Sequence, residues 1–211
     1  MEDSRPGEAT FSVDWFSRCI PAWTALFAAH MPRPRRILEI GAFEGRATCF
    51  MLEHLLPAEG GEIHCIDTWE GGAEHSGIPM DAVARRFRAN VGAVLARLPQ
   101  HQVVSHRGLS RHALGNLLAQ GNAGRFDVLY VDGSHQAPDV LEDLVLGFRL
   151  CRVGALVICD DYQWQRQKAG QVDVLDTPKI AIDAFTTIYR RRVSLIDWPC
   201  SYQVAFRKSG D

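Results

Sequence analysis

The sequence predicts an α/β domain: a seven-stranded, mostly parallel sheet with helices on both faces and an antiparallel hairpin at its C-terminal end. Three observations carry that expectation. From residue 36 onward, short apolar runs of β type alternate with stretches of helical periodicity, the pattern of parallel strands joined by crossover helices. The first run ends at a glycine turn that opens a helix. The last two runs stand too close for a helix between them, so they pair as a hairpin.

The elements follow in order. Phe11 to His30 carries Phe16, Ile20, Trp23 and Phe27 at mostly helical spacing, broken by Pro21, and reads as one or two short helices. The Phe16/Trp23/Phe27 stripe is expected to pack on the domain or on a second subunit, which leaves room for a homo-oligomer. Pro-Arg-Pro-Arg-Arg at 32–36 closes this segment. Residues 1–34 are thus expected to form a helical extension and 35–211 the main domain. Strands are expected at 36–40, 62–67, 101–106, 126–132, 154–160, 193–197 and 202–207. Helices are expected at 45–56, 81–97, 110–120, 137–151 and 178–190. The polar stretch 163–176 reads as a covering loop.

Composition bounds the partners. The 211 residues hold 23 Lys and Arg against 25 Asp and Glu, a net charge of −2. That balance argues against a nucleic-acid groove or an anionic membrane as the main partner. The longest stretch without a charged residue, Cys19–Pro32, has 14 residues and two prolines, too short to span a bilayer. Six cysteines are scattered without a CxxC pair, as expected of reduced thiols in a cytoplasmic protein. The first residues open with acids and show no secretory pattern.

Chemistry begins at the first turn. Glu39-Ile-Gly41-Ala-Phe-Glu-Gly45 places two glycines four apart between a strand and a helix. Such a turn brings backbone N–H groups close to a ligand. The middle glycine of a dinucleotide fingerprint is absent, because residue 43 is Phe. The second strand ends in Asp67, where a carboxylate can accept from ribose hydroxyls.

Glycine turn, strand-end acid and terminal hairpin together resemble the class I S-adenosylmethionine-dependent methyltransferases, whose sheet is Rossmann-like. The resemblance spans about residues 35 to 208. It implies S-adenosylmethionine as cofactor. Gly41, Ala42 and Gly45 would face its methionine end, Glu39 would order its amino group, and Asp67, with Thr68 beside it, would hold the ribose. Ser110 matches the position near the adenine. Leu109 stands where many relatives carry an acid.

Strand four ends Val131-Asp132-Gly-Ser-His135 and strand five ends Cys159-Asp160-Asp161-Tyr162. In an open parallel sheet, ligands bind beyond the carboxyl ends of the strands, where strand order reverses. Asp132, Asp160 and Asp161 should therefore converge there. A lone aspartate at such a place usually caps a helix. Three in one cleft repel one another, and a divalent cation removes that cost. Hard oxygen ligands suit Mg2+, or another divalent cation such as manganese or calcium.

Asp-Gly-x-His and Asp-Asp at these ends resemble metal-dependent small-molecule O-methyltransferases related to the macrolide-sugar O-methyltransferases and the cephalosporin-hydroxylase-like proteins. By position, Asp132, Asp160 and Asp161 match metal ligands, Asp132 also lying beside the cofactor, and His135 matches the general base. Catechol-type relatives use a lysine there, so the acceptor is expected to be a small hydroxylated molecule such as a sugar or natural-product alcohol. Trp69 and His75 in the loop after strand two, and Tyr162 and Trp164 after the paired aspartates, are expected substrate contacts. The alternatives are a cephalosporin-hydroxylase-like enzyme or a cofactor-binding protein without chemistry on the same scaffold. A nucleic-acid enzyme fits less well, because no Pro-Pro-Tyr/Phe motif follows strand four.

Overall fold

A computed structural model of the chain describes residues 9–72, 75–165, 167, 172–200 and 202–211. Seven strands form one sheet: β1 (Arg36–Ile40), β2 (Glu62–Asp67), β3 (Gln102–Arg107), β4 (Phe126–Val131), β5 (Cys151–Cys159), β6 (Val193–Ile196) and β7 (Val204–Lys208). Their order is β3-β2-β1-β4-β5-β7-β6. The first five pair in parallel, and β7 runs antiparallel to both β5 and β6. The expected architecture is thus the observed one.

Six α-helices cover the sheet: α1 (Ile20–His30), α2 (Arg46–Phe50), α3 (Met80–Arg97), α4 (Ser110–Ala119), α5 (Ala137–Leu150) and α6 (Pro178–Ile188). Side chains alternate across a strand, so β1, β2, β4 and β5 feed two cores. Ile37, Ile63, Val128, Leu156 and Ile158 join the core under α1, α2 and α3. Leu38, Ile66, Leu129, Val157 and Cys159 join the other, with side chains of α4, α5 and α6. Both faces are dry, which is why these strands read as continuous apolar runs.

The N-terminal segment belongs to the first core. Trp23 is fully buried and meets Tyr130 of β4 edge-on, ring centroids 4.8 Å apart. Pro21 does not interrupt α1 as expected. It sits in the first turn of the helix, where the missing N–H has no intrahelical partner to lose. The helix expected over 45–56 changes pitch at residue 51: α2 passes into π-helical turns over Met51–Leu55. Strand β5 starts three residues earlier than expected. Cys151 pairs with Phe126, and the register shifts before Leu156 meets Val128. Gly154, with φ +88°, lies inside that irregularity, so the glycine marks a bulge rather than a strand end. All six cysteines are free, and five are buried.

Register places the site. Ile66 pairs with Ile40, Ile40 with Val131, and Val131 with Cys159. The next residue of each strand or turn therefore falls on one row: Asp67, Gly41, Asp132 and Asp160. Backbone bonds hold that row, from Gly41 N to Ile66 O, Asp132 N to Ile40 O and Asp160 N to Val131 O, each 2.8 Å. Strand order reverses between β1 and β4, and the rim opens there.

Candidate active site

A cavity of about 860 Å3 lies along this rim. That is ample for a nucleoside-sized ligand together with a small second molecule. Its floor is the glycine turn. Gly41 has φ +86°, and a Cβ there would lie 1.8 Å from the carbonyl oxygen of Asp132. The bare Cα is thus already required by the adjacent strand end, and it also faces the cavity. Gly45, φ +81°, packs toward Phe87 and is not among the described residues lining the cavity.

Asp67 closes the same turn. Its Oδ2 accepts from the N–H groups of Ala42 (2.9 Å) and Phe43 (2.8 Å), and its Oδ1 from Trp69 N–H (2.6 Å). Three of the carboxylate's roughly four acceptor positions serve backbone, which leaves one position for a hydroxyl. Thr68 lines the cavity next to it and accepts from Glu70 N–H.

Glu39 is fully buried at the cavity's inner end. Its Oε2 accepts from the Thr48 hydroxyl (2.5 Å) and the Cys65 thiol (3.2 Å), while Oε1 has no partner. Burial pushes this carboxyl up to about 7; bonds from Thr48 and Cys65 oppose the shift and the charge of Asp67 adds to it. An acid whose folded value is raised stays protonated after its unfolded counterpart has ionised. Its contribution is complete below about 4.5 and is lost as pH rises through about 7. The ligand-free protein should therefore lose stability between pH 5 and pH 7, by on the order of 3 kcal/mol from this group. Urea unfolding across that range checks this, and Glu39→Gln should make the profile shallower, the raised acids Asp132, Asp143 and Asp160 keeping a slope of the same sign.

The acids of strands four and five continue the same rim beyond the glycine turn. The Tyr130 hydroxyl lies between two carboxylates, 2.8 Å from Asp132 Oδ2 and 2.5 Å from Asp160 Oδ2. One hydroxyl has one proton, so it donates to one of them at a time. Asp160 also accepts from Gln203 Nε2 (2.6 Å) and from Asp161 N–H (2.8 Å). Gln203 in turn accepts from Trp23 Nε1–H at 2.9 Å. Desolvation, then Asp160 and Asp161, hold the Asp132 carboxyl well above its usual range. Asp160 is raised by desolvation and by Asp161. Asp161, φ +55°, turns its Oδ2 to His135 Nε2 at 2.8 Å, and the His135 ring stacks on Trp164 with centroids 4.1 Å apart. Among the described residues, no group of three or more His, Cys, Asp or Glu side chains is gathered as a metal-holding cluster.

Residues 38–162 match the family model described as a methyltransferase domain. The chain belongs to the methyltransferase-domain family. That bears out the resemblance to class I S-adenosylmethionine-dependent methyltransferases. No curated protein is significantly similar to this methyltransferase. Solved structures share its fold at low identity. The O-methyltransferase TomG from Streptomyces achromogenes, involved in tomaymycin synthesis and bound to S-adenosylmethionine, is 22% identical with a TM-score of 0.62, over 90% of this chain and 80% of its own. An O-methyltransferase from Bacillus cereus with S-adenosylhomocysteine is 18% identical with a TM-score of 0.66, over 94% and 84%. MycE of the mycinamycin pathway, with Mg, S-adenosylhomocysteine and mycinamycin VI, is 16% identical with a TM-score of 0.57, over 95% of this chain and 51% of its own.

The methyltransferase brings most of the expected residues to one cavity. Glu39, Gly41, Ala42, Asp67, Thr68, Ser110, Asp132, His135, Asp160, Asp161, His75 and Trp164 all line it. Two expected substrate contacts are not there. Trp69 is 5% exposed, packs on Phe87 and gives its indole N–H to the Phe43 carbonyl. It is an anchor of the loop, because the turn after β2 buries the largest apolar ring available. Tyr162 points to α6, where its hydroxyl donates to Asp183 and accepts from Lys179. Of the 163–176 stretch, residues 166 and 168–171 lie outside the described residues. Sequence reasoning passed over Trp15, Arg18, Tyr130, Asp143 and Gln203. The first four line the cavity, and Gln203 supports Asp160 from behind. For Asp143 a signal existed: an acid among the apolar positions Val140, Leu144, Gly147 and Phe148 of one helix face. No helix is long and apolar enough to cross a membrane among the described residues.

Proposed function

We propose that this methyltransferase transfers the methyl group of S-adenosylmethionine to a hydroxyl of a small molecule, a sugar or natural-product alcohol, with a divalent cation, magnesium first, as cofactor. The observation that carries the reading is the meeting of two sets of residues in one cavity. One set is the glycine turn and the buried, unpartnered Glu39 oxygen. The other is the paired His135 and Asp161 beside Asp132 and Asp160. O-methyltransferases with the same fold bind S-adenosylmethionine or S-adenosylhomocysteine, and one of them binds Mg and mycinamycin VI.

The residues fit both groups. An acid held uncompensated in a buried position suits the ammonium of the cofactor's methionine end. Asp132 and Asp160, both held above their usual range by burial and by neighbouring carboxylates, suit a hard divalent cation together with Asp161. Asp132, Asp160 and Asp161 would hold it, Asp161 through the oxygen it does not give to His135. Such a cation supplies Lewis-acid polarisation of the acceptor hydroxyl. Tyr130 and Gln203 hold the Asp160 carboxylate in place. Asp161 accepts the Nε2 proton of His135 and so keeps the basic lone pair on Nδ1. Nδ1 takes the acceptor's proton as the oxygen–methyl bond forms and the sulfur–methyl bond breaks. The products are the methyl ether, S-adenosylhomocysteine and the imidazolium, which later releases its proton to water. Positioning the three atoms in line is the larger part of the catalysis. Six free thiols fit a cytoplasmic setting.

The test is S-adenosylhomocysteine release in a screen of sugars, aliphatic diols and phenols. We expect turnover with a sugar or aliphatic alcohol, lost by about a hundredfold or more in EDTA and restored by magnesium. Full activity in EDTA would remove the cation from the mechanism. Cofactor binding with no turnover on any acceptor would favour a binding protein on this scaffold.

A further inference from the structure

The acidic end of the rim is braced from behind. Trp23 of α1 is fully buried and is not among the described residues lining the cavity. Its ring packs with Phe16, Phe27 and Phe50 in the first core, as an apolar stripe would. Its indole N–H does something further. It donates to Gln203 Oε1 at 2.9 Å, and both side chains are buried. Gln203 directly precedes β7. Cys159 of β5 pairs with Val204 of β7, so one step further along the antiparallel pair Gln203 falls beside Asp160. Its Nε2 donates to Asp160 Oδ2 at 2.6 Å.

Chemistry fixes which way that amide faces. An indole nitrogen only donates, an ionised carboxylate only accepts, and an amide has one end of each kind. With Trp23 on one side and Asp160 on the other, Oε1 has to meet the indole and Nε2 the carboxylate. The Cys200 thiol, 3.6 Å from Oε1, is a second donor to the same end. Turned over, the amide would set its oxygen against the carboxylate and its own N–H against the indole N–H, and both buried contacts would be lost. Trp23 also bears on the other donor to this oxygen. Its ring meets Tyr130 edge-on, and the Tyr130 hydroxyl lies 2.5 Å from Asp160 Oδ2. The two side chains that address Oδ2 thus rest on one indole. A carboxylate oxygen has about two acceptor positions. Gln203 and Tyr130 occupy those of Oδ2, while Oδ1 accepts from Asp161 N–H and is left with one.

We propose that Trp23 is a positioning residue for the cation: through Gln203 it holds the Asp160 carboxylate in the orientation that offers Oδ1 to the metal. The proposal rests on the divalent-cation reading above and adds to it a residue outside the cavity. It makes α1 a support of the metal ligands as well as a part of the core. A ligand fixed in advance loses less freedom when the ion binds, which is why the partners of ligand side chains tune metal affinity.

Mn2+ is the probe, its free concentration read by electron paramagnetic resonance with no methyl acceptor present. Gln203→Met keeps the side-chain length and removes the donor, and should weaken Mn2+ binding by about tenfold or more. Trp23→Phe keeps a ring in the core and removes the N–H, and should weaken it by about fivefold. The double variant separates positioning from packing. Acting through Gln203, Trp23→Phe costs no further Mn2+ affinity once residue 203 has lost its amide, although it lowers the urea midpoint in both backgrounds. Additive losses of Mn2+ affinity overturn the proposal, and so does an unchanged affinity in either single variant. If Trp23→Phe does not fold, the indole N–H resonance of Trp23 carries the test. Saturating Mg2+ should move it in the unaltered protein and leave it in place in Gln203→Met. A resonance that stays in place in the unaltered protein, or moves equally in both, overturns the proposal. Absence of Mn2+ binding by the unaltered protein overturns the cation reading itself, and the proposal with it.

Discussion

His135→Ala is expected to lower kcat by about 10^2 to 10^4-fold, the usual contribution of a positioned general base. The cofactor's dissociation constant should change by less than about threefold, because the His135 side chain is held by Asp161 and Trp164 and not by Glu39 or the glycine turn. The geometry explains the size of the effect. An alcohol is too weak an acid to ionise unaided at neutral pH. His135 is fixed on both sides, by the Asp161 carboxylate at 2.8 Å and by the Trp164 ring at 4.1 Å. That restriction spares the entropy of orienting the ring during the reaction. Single-turnover kinetics separate the step from binding. Turnover within tenfold of the unaltered enzyme would return His135 to a packing role.

Gly41→Ala is expected to cost about 3–5 kcal/mol of folding stability, the range of severe single substitutions. Two independent penalties meet at this position. The backbone has φ +86°, where any L side chain is strained. The added methyl would also lie 1.8 Å from the Asp132 carbonyl oxygen and 2.4 Å from its carbon. Both are main-chain atoms fixed by the β1–β4 ladder, so nothing flexible can yield. Gly45→Ala is the internal comparison: φ is similar, but the nearest atom is a Phe87 ring carbon at 3.1 Å. Urea midpoints should fall much further for Gly41→Ala than for Gly45→Ala. Equal shifts would mean that backbone conformation alone sets the cost.

Much of the fold is legible because the central strands are buried on both faces. Ile37-Leu-Glu-Ile and Val128-Leu-Tyr-Val are too short for buried helices and end in turn residues. The aspartates and His135 are legible for a related reason. They follow directly on apolar runs, and the ends of parallel strands share one rim. What escaped was decided by contacts distant in the chain. Gln203 looks like any polar residue near the start of the last strand, yet its amide joins Trp23 to Asp160. Tyr130 reads as one more apolar strand position until β5 places Asp160 beside its hydroxyl. Trp69 errs the other way: an aromatic ring in a glycine-rich loop suggests a binding surface, but the loop folds it under Phe43. Pro21 and Gly154 read as ends of elements, whereas a helix start and a bulge accommodate them at little cost.

The bond between Trp23 and Gln203 spans 180 positions. On the ribosome, α1 and the first five strands can emerge and pack long before residue 203 does. Until then the amide that steadies Asp160 is missing, and the indole N–H of Trp23 has to wait for its acceptor. A nascent chain can therefore carry a finished glycine turn while its acidic wall is incomplete. Translation order thus separates the site into an early half and a late half, and competence to react comes with the late one.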